Sequence, residues 1–280
     1  MTANADQFRY WNEDTGRAWI DYQEHTDELT QPFGDEAMRV LAPAEGEAVL
    51  DVGCGTGTTT LELGRRVGPA GTATGVDISR PLLERARQRA AEAHAGNVDF
   101  VHGDAQTEAL PAHQDAVFSR FGIMFFDDSI AAFANMARAV KPGGRLAFVC
   151  WQALEHNPWM YLPARAAEPH LGDPKLAPDD VPGPFGLADP DRTRQRLEAA
   201  GWRAIKVDPF VTDFRLPGGD DVDGVAAVML AVLPTRHLLA GASGEARAAA
   251  ETVVSEALAP YRTSDGVRLR GATWIVSARR

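Results

Sequence analysis

The feature that most constrains this chain is a glycine-rich turn set between a short apolar run and a helical segment. It reads Val49-Leu50-Asp51-Val52-Gly53-Cys54-Gly55-Thr56-Gly57. Glycine adopts positive φ without a Cβ penalty and lets the backbone approach a ligand closely. A turn of this kind at a strand's carboxyl end is where doubly wound sheets bind ligands. The rest of the first half fits such a sheet. Apolar runs at 48–52, 72–76, 98–101, 116–119 and 146–151 alternate with helical periodicity. Gly68-Pro69-Ala70-Gly71 stops the first helix. Ser79 and Pro81 suit the start of the second, Gly96 its end, and Pro142-Gly143-Gly144 closes a third over 127–140. Strands alternating with helices imply parallel βαβ units covered on both faces.

The second half is less regular. Residues 152–188 hold seven prolines and are expected to be mostly loop with short helices. A helix over 189–200, a strand over 202–214, an Ala/Val/Leu-rich helical run over 220–260 and a strand over 268–278 follow. The division expected is a helical lid segment over 1–45, a cofactor-binding core over 46–152, and a remainder over 153–280. That remainder carries substrate-cap inserts near 153–188 and 216–265.

Composition narrows the partners. The formal net charge of −11 weighs against nucleic acid, since phosphate binding needs a basic face. Two cysteines, Cys54 and Cys150, imply no disulfide framework and point to a reducing cytoplasm. No run of 18 apolar residues exists, so no membrane span is expected. The N-terminus lacks a basic-then-apolar leader pattern. Nearly all basic residues are arginine and alanine is abundant, the mark of a GC-rich, bacterial genome. Oligomeric state is left open, with a homodimer among the options.

The turn also limits the ligand. Asp77 closes the second strand, 20 residues past Gly57, where an acid can take both hydroxyls of a ribose. A dinucleotide would need G-x-G-x-x-G, and a P-loop would need a Gly-Lys pair; neither is present. Asp51, just before the turn, would repel a pyrophosphate and suits a cation. S-adenosylmethionine carries an ammonium and a sulfonium and no phosphate, so the electrostatics favour it.

Here the sequence resembles the class I S-adenosylmethionine-dependent methyltransferases. Residues 48–60 look like that family's first motif, and 74–79 (TGVDIS) like its second. Gly103-Asp104-Ala105-Gln106 resembles the adenine-binding segment. Residues 115–121 (DAVFSRF) and 140–151 (VKPGGRLAFVCW) are similar to the motifs around the fourth and fifth strands. In tone the chain is similar to the small-molecule enzymes of ubiquinone and menaquinone biosynthesis. The resemblance implies a Rossmann-like seven-stranded, mainly parallel sheet with an antiparallel last strand and a helical lid. It also implies the cofactor contacts. Asp51, Gly53 and Gly55 would meet the methionine moiety, Asp77 the ribose and Ile78 the adenine. Asp104 would accept from the adenine amino group beside Ala105 and Gln106, and Ser119 and Phe121 would border the donor methyl.

Methyl transfer is an in-line displacement at a sulfonium carbon, so alignment and desolvation carry most of it. A base is needed only where the acceptor must lose a proton early. The place after the fourth strand reads Ser119-Arg120-Phe121-Gly122. It therefore lacks the Pro-Pro box of amino-methylating enzymes and the Mg²⁺-binding aspartate of the catechol type; no metal is expected. Asp127 and Asp128 read as caps of the next helix. His156, past the fifth strand, and His25, in the aromatic N-terminal segment, are the candidate bases. His94, His113, His170 and His237 carry no signal, and His102 reads as a strand-end residue. Arg120 is unexplained, a cation near the expected sulfonium. Trp11, Trp19, Tyr22, Trp151, Trp159 and Met160 offer an apolar pocket for a flat small molecule. The reading is methyl transfer to a small organic acceptor in biosynthesis, with oxygen or carbon favoured over nitrogen. The rival is a cyclase or decarboxylase on the same fold that keeps the cofactor.

Overall fold

The computed structural model describes residues 3–175, 177–232 and 235–280. The first two residues of the 1–45 segment, residue 176 of the proline-rich stretch, and 233–234 of the 220–260 run lie outside them. Helices α1 (Ala5–Asn12), α2 (Asp14–Asp21) and α3 (Gln23–Leu41) lead into strand β1 (Ala48–Val52). Then come α4 (Thr58–Val67), β2 (Thr72–Asp77), α5 (Arg80–Glu92), β3 (Val98–His102) and β4 (Gln114–Arg120). They are followed by α6 (Ser129–Ala139), β5 (Val140–Trp151), α7 (Pro158–Leu171), α8 (Pro190–Ala199) and β6 (Arg203–Arg215). The chain ends with α9 (Val222–Val232), α10 (Arg236–Gly241), α11 (Gly244–Leu258), β7 (Arg262–Thr263) and β8 (Gly266–Arg279).

The sheet order is β3-β2-β1-β4-β5-β8-β6, with the two-residue β7 pairing off β8. The first five strands pair in parallel. β8 inserts antiparallel between β5 and β6. The sheet is thus mainly parallel with an antiparallel last strand, as expected, and β7 is a short addition to the seven strands. Val49, Leu50, Ala116, Val117, Phe118, Phe148 and Val149 are fully buried, the pattern of strands covered on both faces.

Two local expectations fail. Residues 158–171 form one continuous helix, α7, although Pro163 and Pro169 lie inside it. Pro158 sits in the first turn, where a missing N–H costs nothing, and Pro163 is buried in a helix that packs against α11. Packing outweighs the proline penalty there. Strand β5 also begins at Val140 rather than 146. Val140 pairs with Gln114, and an irregularity in register between Gln114 and Ala116 absorbs the Pro142-Gly143-Gly144 segment.

The N-terminal segment divides. α3 packs on β4, β5, β6 and β8 and buries Phe33, Met38 and Leu41 in the core. α1 and α2 reach across to the carboxyl ends of β2 and β3. At the other end, α7, α9 and α11 pack on one another, and α7 and α9 also pack on β8. Residues of α1, α2, α7 and α10 meet the carboxyl ends of the parallel strands around one cavity. Among the described residues no helix is long and apolar enough to cross a membrane.

Candidate active site

β1 delivers the chain into the glycine-rich turn, where Gly53, Gly55 and Gly57 all have positive φ. Two of them show why. A Cβ on Gly53 would fall 2.6 Å from Gly122 Cα, so the turn and the loop after β4 meet backbone to backbone. A Cβ on Gly55 would meet nothing nearer than Trp19 Nε1 at 4.0 Å, so Gly55 presents bare backbone to a cavity. That cavity measures about 460 Å³. Its walls come from the turn, the ends of β2, β3, β4 and β5, helices α1, α2, α3 and α7, and α10.

Asp77, at the end of β2, organises one wall. Its Oδ2 accepts the Gly55 N–H and its Oδ1 the Ser79 N–H, each at 2.8 Å. Burial pushes its carboxyl up to about 6, against the lowering pull of those N–H groups. A carboxylate offers about four lone-pair sites, so each oxygen keeps room for one more donor. Ile78, Asp104 and Ala105 lie on the same side. Asp104, however, is occupied. Asn4 Nδ2 donates to its Oδ1 at 2.9 Å and its Oδ2 at 3.0 Å, while the Gln106 N–H and Thr107 hydroxyl take further sites. Asn4 is held in turn by Asp127, whose N–H donates to Asn4 Oδ1 and whose Oδ2 accepts the Asn4 N–H.

Another part of the wall is aromatic. Phe121 lies flat on Trp151, ring centroids 4.1 Å apart and planes within 11°. Trp151 also meets Phe33 at 4.9 Å and Trp159 at 5.0 Å. Phe121 is held at φ 60°, an uncommon conformation for a bulky residue, and the stack fixes it there. Trp11 meets Trp19 edge to face at 5.7 Å and Phe125 at 5.4 Å. α1 and α2 are thereby joined to the loop after β4.

The structure brings together most of the residues expected from sequence. Gly53, Gly55, Asp77, Ile78, Asp104, Ala105, Phe121, Trp11, Trp19, Trp151, Trp159 and Met160 all line the cavity. Others stand elsewhere. Asp51 is fully buried beneath the turn, where its Oδ2 accepts the Thr59 and Thr60 hydroxyls at 2.6 and 2.7 Å. Burial raises its carboxyl while those hydroxyls and the charge of Arg120 hold it down; its Oδ1 has no partner. Ser119 is also fully buried and turns its hydroxyl to Val52 O at 2.7 Å. Gln106 spends its Oε1 on the Asp128 N–H. Tyr22 and His25 pack on each other outside the cavity wall. His156 lies on an exposed turn, 52% accessible, with Glu155 at 3.6 Å. It is also absent from the wall, so the position after β5 does not aim it at an acceptor. Asp128 caps α6 as expected, accepting the Ala131 N–H, whereas Asp127 serves Asn4 instead.

Sequence reasoning missed several wall residues. His237 and Arg236 arrive on α10, and Arg236 reaches the Thr15 hydroxyl at 2.9 Å. Asn4, Gln7, Thr26 and Thr30 join them. A polar residue on an amphipathic helix gives no signal of which cavity it will meet. Arg120, flagged as odd, does line the cavity.

Comparison with known proteins bears on this arrangement. Residues 49–144 match the family described as Methyltransferase domain. Aklanonic acid methyltransferase DauC of Streptomyces sp. (strain C5) is 34% identical over 122 residues, which cover 43% of this chain and 56% of that protein. Over residues 49–144 the chain is similar to the class I S-adenosylmethionine-dependent methyltransferases. Demethylmenaquinone methyltransferase of Listeria monocytogenes is 35% identical over 115 residues, 41% of this chain and 48% of that one. The chain thus spans about half the length of the curated relatives it matches. The solved YcgJ protein from Bacillus subtilis superposes with a TM-score of 0.56 at 18% identity, over 88% of this chain and 98% of that one, which shows a shared fold.

S-adenosylmethionine is the cofactor of that domain class, and the cavity fits it. Gly55 leaves backbone open where a side chain would fill the space, and Asp77 keeps acceptor capacity for a pair of hydroxyls. The buried Asp51 Oδ1 lacks a donor beneath the same turn.

Proposed function

We propose that this chain transfers a methyl group from S-adenosylmethionine to a flat, apolar small molecule, at oxygen or carbon. The observation that carries the reading is the continuity of the cavity. One wall is a glycine turn backed by the Asp77 carboxylate, and the other is the Phe121–Trp151 stack. The first suits an adenosyl group and the second a planar acceptor. Relatives named for aklanonic acid and demethylmenaquinone support an acceptor of small-molecule size.

When bound, the cofactor supplies an electrophilic methyl on a sulfonium. Asp77 would hold the ribose hydroxyls and Ile78 and Ala105 would pack on the adenine. Displacement of Asn4 from Asp104 would free that carboxylate for the adenine amino group. Phe121 and Trp151 would keep water from the methyl, and exclusion of water favours a step in which charge is lost from sulfur. Trp11, Trp19 and Trp159 would hold the acceptor in line, where proximity supplies much of the rate. His237 on α10, rather than His156 or His25, would take a proton from a hydroxyl acceptor, because it is a histidine of the cavity wall. A net charge of −11 and the apolar wall both suit a small acceptor better than a nucleic acid.

The test is incubation of the full chain with methyl-labelled S-adenosylmethionine and a panel of phenolic and quinone-like acceptors, read by mass spectrometry. A product heavier by one methylene unit is expected. A rearranged or decarboxylated product of unchanged methyl count would overturn methyl transfer in favour of the rival chemistry.

A further inference from the structure

Arg120 sits at the end of β4 in a place built to receive it. Gly34 on α3 makes the room: a Cβ there would fall 2.6 Å from Arg120 Cδ. Arg120 Nη2 donates to Asp27 Oδ1 at 2.8 Å. Asp27 is shared. It also accepts the Thr58 hydroxyl at 2.7 Å and lies 3.5 Å from Arg89 Nη1. Two guanidinium groups therefore rest on one carboxylate. Among the described residues, neither Nε nor Nη1 of Arg120 has a hydrogen-bond acceptor. The side chain is only 16% accessible and stands between two cavities: it lines the one that holds Gly53, Thr26, Thr30 and Thr59, and a second one with Asp27, Thr58 and Arg89. Nearby is Asp51, fully buried, close enough to feel the charge of Arg120 and with one oxygen unpartnered.

The pairing matters chemically. An α-amino acid group carries an ammonium and a carboxylate on one carbon, so a site for it must set an acid and a base close together. A guanidinium with two N–H donors to spare matches a carboxylate in two-point geometry. Asp27 holds one edge of the fork and leaves the other open. We propose that Arg120 anchors the α-carboxylate of the methionine moiety of S-adenosylmethionine, with Asp27 as the residue that positions it. The assignment rests on the cofactor reading above and adds to it the group that recognises the amino-acid end.

Calorimetric titration with S-adenosylmethionine and its decarboxylated analogue tests the assignment without turnover. The full chain is compared with Arg120→Gln and Arg120→Lys. The native protein is expected to favour the intact cofactor by roughly 10–100-fold, the size of one charge-assisted interaction. In Arg120→Gln that preference should collapse toward one, because only the intact cofactor loses affinity; Arg120→Lys should keep part of it. Equal binding of both compounds by the native protein would overturn the assignment. So would a preference that survives in Arg120→Gln, as would equal weakening of both compounds, which marks a merely structural arginine. If Arg120→Gln does not fold by circular dichroism, the native ratio and Arg120→Lys still decide. Failure of the native protein to bind either compound would contradict the cofactor reading itself.

Discussion

The two walls of the cavity are made by different means. The wall of the glycine turn is backbone: positive-φ glycines, N–H groups on the Asp77 carboxylate, and a close approach of Gly53 to Gly122. Its parts come from strand ends that are neighbours in the sheet. The aromatic wall is side chain: Phe121, Trp151, Trp159, Trp11 and Trp19 arrive from β4, β5, α7, α1 and α2 and meet only through packing. The difference teaches where each function is stored. On the proposed function, recognition of a constant cofactor would rest on backbone geometry, and recognition of the acceptor on packing that substitution can remodel.

Breaking the aromatic wall should have the largest effect. Trp151 is 4% accessible and touches Phe33, Phe121 and Trp159. Trp151→Ala is expected to cost about 3–5 kcal/mol of stability by chemical denaturation, through lost burial and the cavity left behind. Cofactor affinity of the folded fraction should change far less. A cost under about 1 kcal/mol would mean that the wall is not packed as described.

Breaking the backbone wall should act on binding instead. Asp77→Ala leaves the Gly55 and Ser79 N–H groups without their acceptor and removes the site for two hydroxyls. A loss of about 1–3 kcal/mol in S-adenosylmethionine affinity is expected. The pH dependence sharpens the same point. With the Asp77 carboxyl pushed up to about 6, the ligand-ready carboxylate is lost as pH falls through that value. Affinity should then drop by up to about tenfold per pH unit. Stability runs the other way. Between the usual carboxylate range and about 6 the native state binds the proton more tightly than the unfolded chain. This group's penalty on folding is therefore relieved as pH falls through that window. Asp77→Asn should flatten both trends. Parallel pH profiles for the native protein and Asp77→Asn would remove Asp77 from the ligand site.

The smallest effect should come from the join between the walls. Asn4→Ala removes the amide that occupies Asp104 and pairs with Asp127. It is expected to cost about 1 kcal/mol locally and to speed amide hydrogen exchange in α1 and α2, with the sheet unchanged. Unchanged exchange there would show that the remaining contacts, Trp11 with Phe125 and Arg236 with Thr15 among them, hold the segment without Asn4.

The same contrast decides how much could be read in advance. Parallel strands buried on both faces leave long apolar runs, and glycine turns can be met by few other residues. The sheet, the turn, Asp77 and Gly55 were therefore legible in sequence. Asp51 and Ser119 share the cofactor motifs, yet their side chains are taken by Thr59, Thr60 and Val52 O, partners that spacing does not reveal. The six aromatic and methionine candidates were legible as a supply, but only tertiary packing separates Tyr22 from the five that reach the cavity. His237 carried no signal because its helix is placed by contacts with distant elements. The unbroken α7 escaped because burial of its proline-bearing face overrides local propensity.

The central claim is that the glycine turn and Asp77 form an S-adenosylmethionine site. Calorimetric titration of the full chain with S-adenosylmethionine, S-adenosylhomocysteine and NAD tests it most directly. Binding of both adenosyl compounds at about micromolar affinity, with no response to NAD, is the expected result. Silence from the adenosyl compounds, or heat from NAD alone, would contradict the assignment of this site.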